Sequence, residues 1–319
     1  MRLFTDASYR FIEARKKAYV FSAIVILAGV AAMVGNVVSF GSWQRYGVDF
    51  TGGSLVQLRF DGEVTAADLR AALGGAQAPP ITRFGEDHEF VIRATLADDA
   101  SITEVADDVE AQVRAALPNE TFEVVRTELV GAKVGAELQQ KAALAILFSF
   151  VTTLIYLAIR FELRFGMAAV IATMHDILIT LGFLALFRVE ISLTTVAALL
   201  TIVGYSLNDT IVVFDRVREN AGKKGARKRD QVDLVNESIN ETLPRTILTS
   251  GTTLAVLFCL LLLGGPVIRD FTLVLILGVV IGTYSSVFVA SPALIEIQRR
   301  YGIGKPGNEK KPRPQPATV

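Results

Sequence analysis

A single cysteine, Cys259, in 319 residues leaves no internal disulfide and no CxxC or zinc-thiolate framework. Histidine is nearly as scarce. His88 and His175 are the only two, too few and too far apart for an imidazole metal centre, so metal and redox cofactors are not expected. No GxxxxGKS/T phosphate loop occurs, so nothing marks the chain as a nucleotide hydrolase. An excess of either charge is also missing: 32 basic and 32 acidic side chains cancel, and only their positions carry information. What abounds is apolar. At 51% hydrophobic residues and a mean hydropathy of +0.45, the chain is too apolar for an ordinary soluble domain and reads as a membrane protein.

A bilayer core about 30 Å thick needs roughly 20 apolar helical residues. Six runs qualify: 18–40, 142–159, 166–187, 191–214, 246–263 and 271–297. The first follows Arg10, Arg15, Lys16 and Lys17 but lacks a convincing A-x-A cleavage site, so it reads as an uncleaved anchor. Basic residues flanking the spans number 21 on one side and 11 on the other, nine of these 11 within one long loop. Short connections set orientation, so both termini are expected in the cytoplasm, with 1–17 and 298–319 as cytoplasmic ends and 215–245 as a cytoplasmic loop.

The loop 41–141 then lies outside, in the periplasm, and is acidic, with 17 Asp or Glu against nine basic residues. Two capping boxes, Thr65 with Asp68 and Ser101 with Glu104, predict helices. Alternation at Val56, Leu58 and Phe60 and at Phe90 and Ile92, together with 81–85 and 122–129, predicts four strands. The order strand, helix, strand, strand, helix, strand is the split βαβ pattern. The expected fold is a membrane all-α bundle of six transmembrane helices with a ferredoxin-like α+β external domain between helices one and two. His88, among Glu86, Asp87 and Glu89, reads as a solvated hairpin residue.

Charges inside spans are costly, about 3 kcal/mol on insertion scales, and point to function. Asp176, beside His175, lies ten residues into span three, and Asp209 lies in span four between Asn208 and Thr210. Arg245 opens span five, with Thr249 and Thr252 on its face of the helix. The span directions put Asp209 and Arg245 in the same half of the membrane, where a pair that forms and separates would couple protonation to helix movement. A fixed buried ion pair that only specifies packing is the plainer alternative. His175 and Asp176 project about 100° apart and cannot face one partner, so Asp176 is a supporting residue. Gly278 and Gly282, extended by Ser285 and Ser286, predict close helix packing. Lys223, Lys224, Arg227, Lys228 and Arg229, followed by Val232, Val235 and Ile239, predict a basic amphipathic helix on anionic lipid.

Three stretches carry a family resemblance. Gly47-Val48-Asp49-Phe50-Thr51-Gly52-Gly53 resembles the GxDFxGG signature of the SecD/SecF protein-export family. Residues 203–220 and 236–254 are similar to the span-four and span-five hallmarks of its SecF branch, and His175-Asp176 fits its HD pair. The family belongs to the resistance-nodulation-division superfamily, built as twelve spans in two halves. The resemblance therefore implies that these six spans are one half and that a SecD chain supplies the other. It further implies work with the SecYEG channel on a translocating preprotein, driven by protons, with no enzymatic activity, no cofactor and no nucleic acid. By position, Asp209 matches the proton-relay aspartate and Arg245 its neighbouring arginine, with Asn208, Thr210, Asp176, His175, Thr249 and Thr252 as supporting polar residues. The alternatives are half of a proton-coupled small-molecule or lipid exporter, a passive translocon scaffold, and an intramembrane aspartyl protease using Asp176 and Asp209. The protease needs a GxGD-like sequence, and Ser206-Leu207-Asn208 precedes Asp209 instead.

Overall fold

The computed structural model describes residues 8–83, 88–94, 102–223, 229–265 and 268–301. Ser101 of the second expected capping box, the end of the expected strand 81–85, most of the basic run 223–229 and the tail 305–319 lie outside them.

Helix α1 (Arg15–Phe40) leads through β1 (Arg45–Tyr46) and α2 (Val48–Thr51) into β2 (Gly53–Phe60), α3 (Ala66–Ala72), β3 (Ile81–Arg83), β4 (Glu89–Ala94), α4 (Ile102–Ala116) and β5 (Phe122–Val130). The chain then returns to long helices: α5 (Ala132–Arg160), α6 (Leu163–Phe187), β6 (Glu190–Ile191), α7 (Leu193–Gly222), α8 (Gln231–Leu263) and α9 (Arg269–Ser285). A π-helical turn, Ser286–Ala290, carries α9 on into α10 (Ser291–Tyr301). Among the described residues six helices are long and apolar enough to cross a membrane.

The small domain is an antiparallel sheet in the order β3-β4-β2-β5. Helices α3 and α4 close over the alternate side chains Val56, Leu58, Phe60, Phe90 and Ile92 through Leu69, Val109 and Val113. Thr65 caps α3 reciprocally with Asp68: the Asp68 amide donates to the Thr65 hydroxyl at 3.2 Å and the Thr65 amide to the Asp68 carboxylate at 3.0 Å. His88 is half-buried in the turn before β4 rather than fully solvated, and its backbone carbonyl accepts from Phe60 N at 2.9 Å.

In the bundle, α6, α7 and α9 form the interior and α1, α5 and α8 the periphery; only 6% of the apolar window of α5 is buried. Glycine sets two close helix crossings. A Cβ on Gly29 of α1 would lie 2.6 Å from Gly182 Cα of α6, so the two backbones touch directly. Gly278 and Gly282 of α9 pack on α7: a Cβ on the first would run into the Ile202 side chain, and one on the second would meet Ser206 Cβ at 3.0 Å.

Helices α7 and α8 run well past the apolar stretches that mark them. At 30 and 33 residues they are roughly 45–50 Å long against a core of about 30 Å. Their overhanging ends pack on each other, with Asn220 Nδ2 donating to Ser238 Oγ at 2.9 Å and to Glu241 at 2.7 Å. Val235 and Ile239 are buried in the main core. This corrects the expectation of a separate amphipathic helix lying on lipid: that apolar stripe is the first third of α8, and it packs on the bundle because α7 extends equally far.

The same end of α8 holds the amino-terminal segment. Asn240 brackets Tyr9, accepting from its amide at 2.9 Å and donating to its carbonyl at 2.8 Å. One turn earlier Asn236 accepts from Ile12 N at 3.0 Å and donates to Glu13 at 2.9 Å. These pairs strap the chain's start across its fifth span.

Candidate functional site

Two carboxylates are buried inside the bundle, and they differ in how they are held. Asp176, at 0% exposure, is saturated. One oxygen accepts from Ser206 of α7 at 2.5 Å and Ser285 of α9 at 2.7 Å; the other lies 2.9 Å from His175 Nδ1. His175 Nε2 reaches Ser22 Oγ of α1 at 2.9 Å, and Ser22 lies 3.2 Å from Tyr284 OH, which donates to Ala18 O at 3.0 Å. The neighbours thus diverge toward different helices, as their angular offset requires, yet bond to each other where the side chains leave the helix. The network ties α1, α6, α7 and α9 together.

Asp209, at 2% exposure, has one hydrogen-bond donor among the described residues: Ser250 Oγ of α8, at 3.2 Å. Ser250 in turn lies 2.7 Å from Thr283 Oγ1 of α9 and accepts from Tyr205 OH at 3.5 Å. Thr210, also buried, returns its hydroxyl to the Ser206 carbonyl at 3.2 Å. Asp209 therefore sits at the meeting of α7, α8 and α9, at the head of a short hydroxyl chain.

Arg245 does not pair with it. Among the described residues Asp209 makes no ion pair, and Arg245 lies on the exposed flank of α8, near enough for its charge to act on Asp209 but not in contact. Asn208 is exposed on the adjoining flank of α7, together with Gly204 and Thr201 one and two turns away. On α8, Thr252 and Gly251 continue the exposed face, while Thr249 is half-buried with its hydroxyl turned back to the Arg245 carbonyl at 3.0 Å. A polar strip thus faces outward within two membrane spans. The expected site residues divide into an inner set (Asp209, Thr210, Asp176, His175) and an outer one (Asn208, Arg245, Thr252). The serines at 22, 206, 250 and 285 and Thr283 are not among the expected site residues, and Ser285 is expected only as a packing residue. For Ser22 and Thr283 the signal in sequence is a hydroxyl inside an apolar run.

A second constellation joins the small domain to span four. In Gly47–Gly53, Gly52 and Gly53 adopt φ of 76° and 140°, which side chains oppose. A Cβ on Gly47 would lie 2.6 Å from Glu190 Oε1 and push that carboxylate aside. Between them Asp49 accepts from Leu193 N, the first residue of α7, at 2.9 Å. The β1 strand pairs in parallel with β6, and Glu190 faces Arg93 of β4 at 3.3 Å and Arg45 at 3.7 Å. Asp49 thereby holds the start of the helix that carries Asp209.

The architecture defines a class: a multi-pass helical membrane protein whose first connection is a small α/β domain clamped to a span with a buried, thinly held carboxylate. Residues 109–300 match the family model for the C-terminal part of protein export membrane proteins SecD/SecF, and residues 45–64 match that for the SecD/SecF GG motif. The chain belongs to the SecD/SecF family. It is 45% identical to the protein translocase subunit SecF of Gemmatimonas aurantiaca over 94% of this chain and 90% of that one. With the SecF of Escherichia coli O157:H7 it shares 38% identity over 91% and 88%. It is similar to the crystal structure of SecDF, a translocon-associated membrane protein of Thermus thermophilus, with a TM-score of 0.77 and 38% identity. A SecDF structure in a super-membrane-facing form gives a TM-score of 0.68 at 37% identity. The chain covers 94% and 93% of its own length in these matches but about 40% of each SecDF chain.

Proposed function

We propose that this chain is the SecF-type subunit of a Sec protein-export machine, without catalytic activity, that helps draw preproteins across the bacterial inner membrane using the proton gradient. The observation that carries the reading is the contrast between the two buried carboxylates. Asp176 is held on both oxygens, by Ser206, Ser285 and His175, and stays a fixed part of the packing. Asp209 has one hydroxyl, no ion pair and a cation in reach but out of contact, and so can exchange a proton as α7 and α8 shift. Protons are then the coupling ion, with no other cofactor. The small domain is read as ferredoxin-like and periplasmic, both termini as cytoplasmic, and Asp49 as the joint through which movement of α7 reaches that domain.

The partner reading rests on the outward polar strip. A guanidinium and an amide exposed within membrane spans are poorly served by acyl chains, and a second bundle would cover them. The SecDF relatives, about 2.3 times this chain's length, suggest a SecD chain as that bundle, with SecYEG and the preprotein as further partners. An export assay in vesicles with SecD tests the mechanism: a preprotein already begun by the ATP-driven motor is followed to completion with and without a proton gradient. The native chain should respond to the gradient and Asp209→Asn should not. An equal response, at equal abundance and assembly, leaves only the scaffold.

A further inference from the structure

At the end of the bundle away from the small domain, the α5–α6 turn, the last turns of α7, the start of α8 and α10 enclose a cavity of about 410 Å³. Its floor is apolar, made by the buried side chains of Phe165, Val217 and Leu294. Its walls carry three arginines, Arg164, Arg218 and Arg229, against one carboxylate, Glu162.

The arginines are incompletely served. Arg164 lies over the Phe165 ring at 4.9 Å, its side chain 13% exposed. Its Nε is 2.9 Å from Glu162, but the N–H is not directed at that oxygen, so this buried donor has no hydrogen-bond partner among the described residues. Arg218 makes no ion pair among the described residues: it donates to the Arg160 carbonyl at 3.4 Å and lies 5.5 Å from the Phe161 ring centre. Arg229 is paired at 2.6 Å with Glu237, which is outside the cavity. A cavity whose described walls carry three arginines against one carboxylate, one of those guanidinium groups without an ion pair, suits a phosphate oxygen, which guanidinium groups bind in planar, charge-assisted geometry.

We propose that this cavity binds the phosphodiester of an anionic glycerophospholipid, with Arg164 and Arg218 as the clamp and Arg229 as a cation at the rim. A lipid, rather than free phosphate, follows from position. The α5–α6 turn that lines the cavity follows directly on α5, whose Phe148, Ile155 and Ile159 are exposed and apolar, a surface that acyl chains cover. Basic pockets between helix ends at the headgroup level are suited to such lipids. Phosphatidylglycerol keeps its negative charge, whereas the choline of phosphatidylcholine neutralises it and meets the arginines as a like charge.

Native mass spectrometry of the full chain in detergent, titrated with phosphatidylglycerol, phosphatidylcholine or inorganic phosphate, tests this. One phosphatidylglycerol per chain should survive where phosphatidylcholine is lost, and inorganic phosphate should not displace it. Arg164→Gln and Arg218→Gln should each weaken retention about tenfold, the loss of one charge-assisted contact; Arg114→Gln, in the small domain, should not. Arg218 is exposed, so its variant folds even if the other does not. Equal retention of both lipids, unchanged retention in Arg218→Gln, or displacement by inorganic phosphate overturns the proposal.

Discussion

At the scale of single residues, donor count separates the two buried aspartates. Removing a donor from a buried carboxylate costs about 1–3 kcal/mol. Ser206→Ala should lower the thermal unfolding midpoint in detergent, and Asp176→Asn should do so more, because three donors then face an amide. The double variant should lose less than the sum, since both remove one bond. Asp209→Asn should leave the midpoint nearly unchanged. Outside the membrane, the Thr65 hydroxyl and amide hold Asp68 below the usual carboxylate range. A carboxyl depressed in the folded state stabilises above its unfolded value and loses that contribution as pH falls through the folded one. The protection of amides 66–72, relative to their intrinsic exchange rates, should therefore fall below about pH 4, and Thr65→Ala should remove that fall. In the sequence, Asp209 and Asp176 were legible because charges within apolar runs stand out. The serines that distinguish them were not, since a hydroxyl in a membrane helix normally satisfies itself on its own backbone, as Thr173 does on Ala169.

At the scale of elements, hydropathy located six spans but not where the helices end. Apolar content records what lies in hydrocarbon, whereas α8 begins 15 residues before Thr246 because Asp230 caps it and Asn236, Asn240 and Glu241 find partners on other segments. The alternation in the small domain was readable because one face of its sheet is covered and the pleat has a period of two. The β1–β6 pair was not, being two residues long and joining segments about 145 apart. Its place beside Asp49 gives the joint a testable consequence. Asp49→Ala should cost about 1 kcal/mol of local stability by uncapping Leu193, seen as faster amide exchange at 193–196. It should lower gradient-driven export while leaving the abundance of the chain intact.

For the whole molecule, the bundle is lopsided: its interior helices are α6, α7 and α9, and the peripheral α8 carries the outer half of the polar strip. Span counting puts Arg245 and Asp209 in the same half of the membrane, and depth is all that it supplies. Rotation about the helix axis is set by packing, which turned the guanidinium outward. A cysteine at Asn208, in a chain with Cys259→Ser, should cross-link to a co-expressed SecD chain across the membrane interior, with a cysteine at exposed Ile159 of α5 as the unreactive control. Labelling of position 208 by a lipid-soluble reagent in that complex, without cross-linking, would remove the strip as the contact.

The strap at Tyr9 and Ile12 has a bearing on how the chain is made. Tyr9 and Ile12 bond to partners more than 220 positions later, so they emerge from the ribosome long before Asn236 and Asn240 exist. Until the fifth helix is inserted the beginning of the polypeptide has nothing to close on, and a nascent chain stalled earlier would keep it open to proteases. Closure of the strap marks the moment when most of the bundle is in place, which makes the segment 9–13 a register of completed biogenesis.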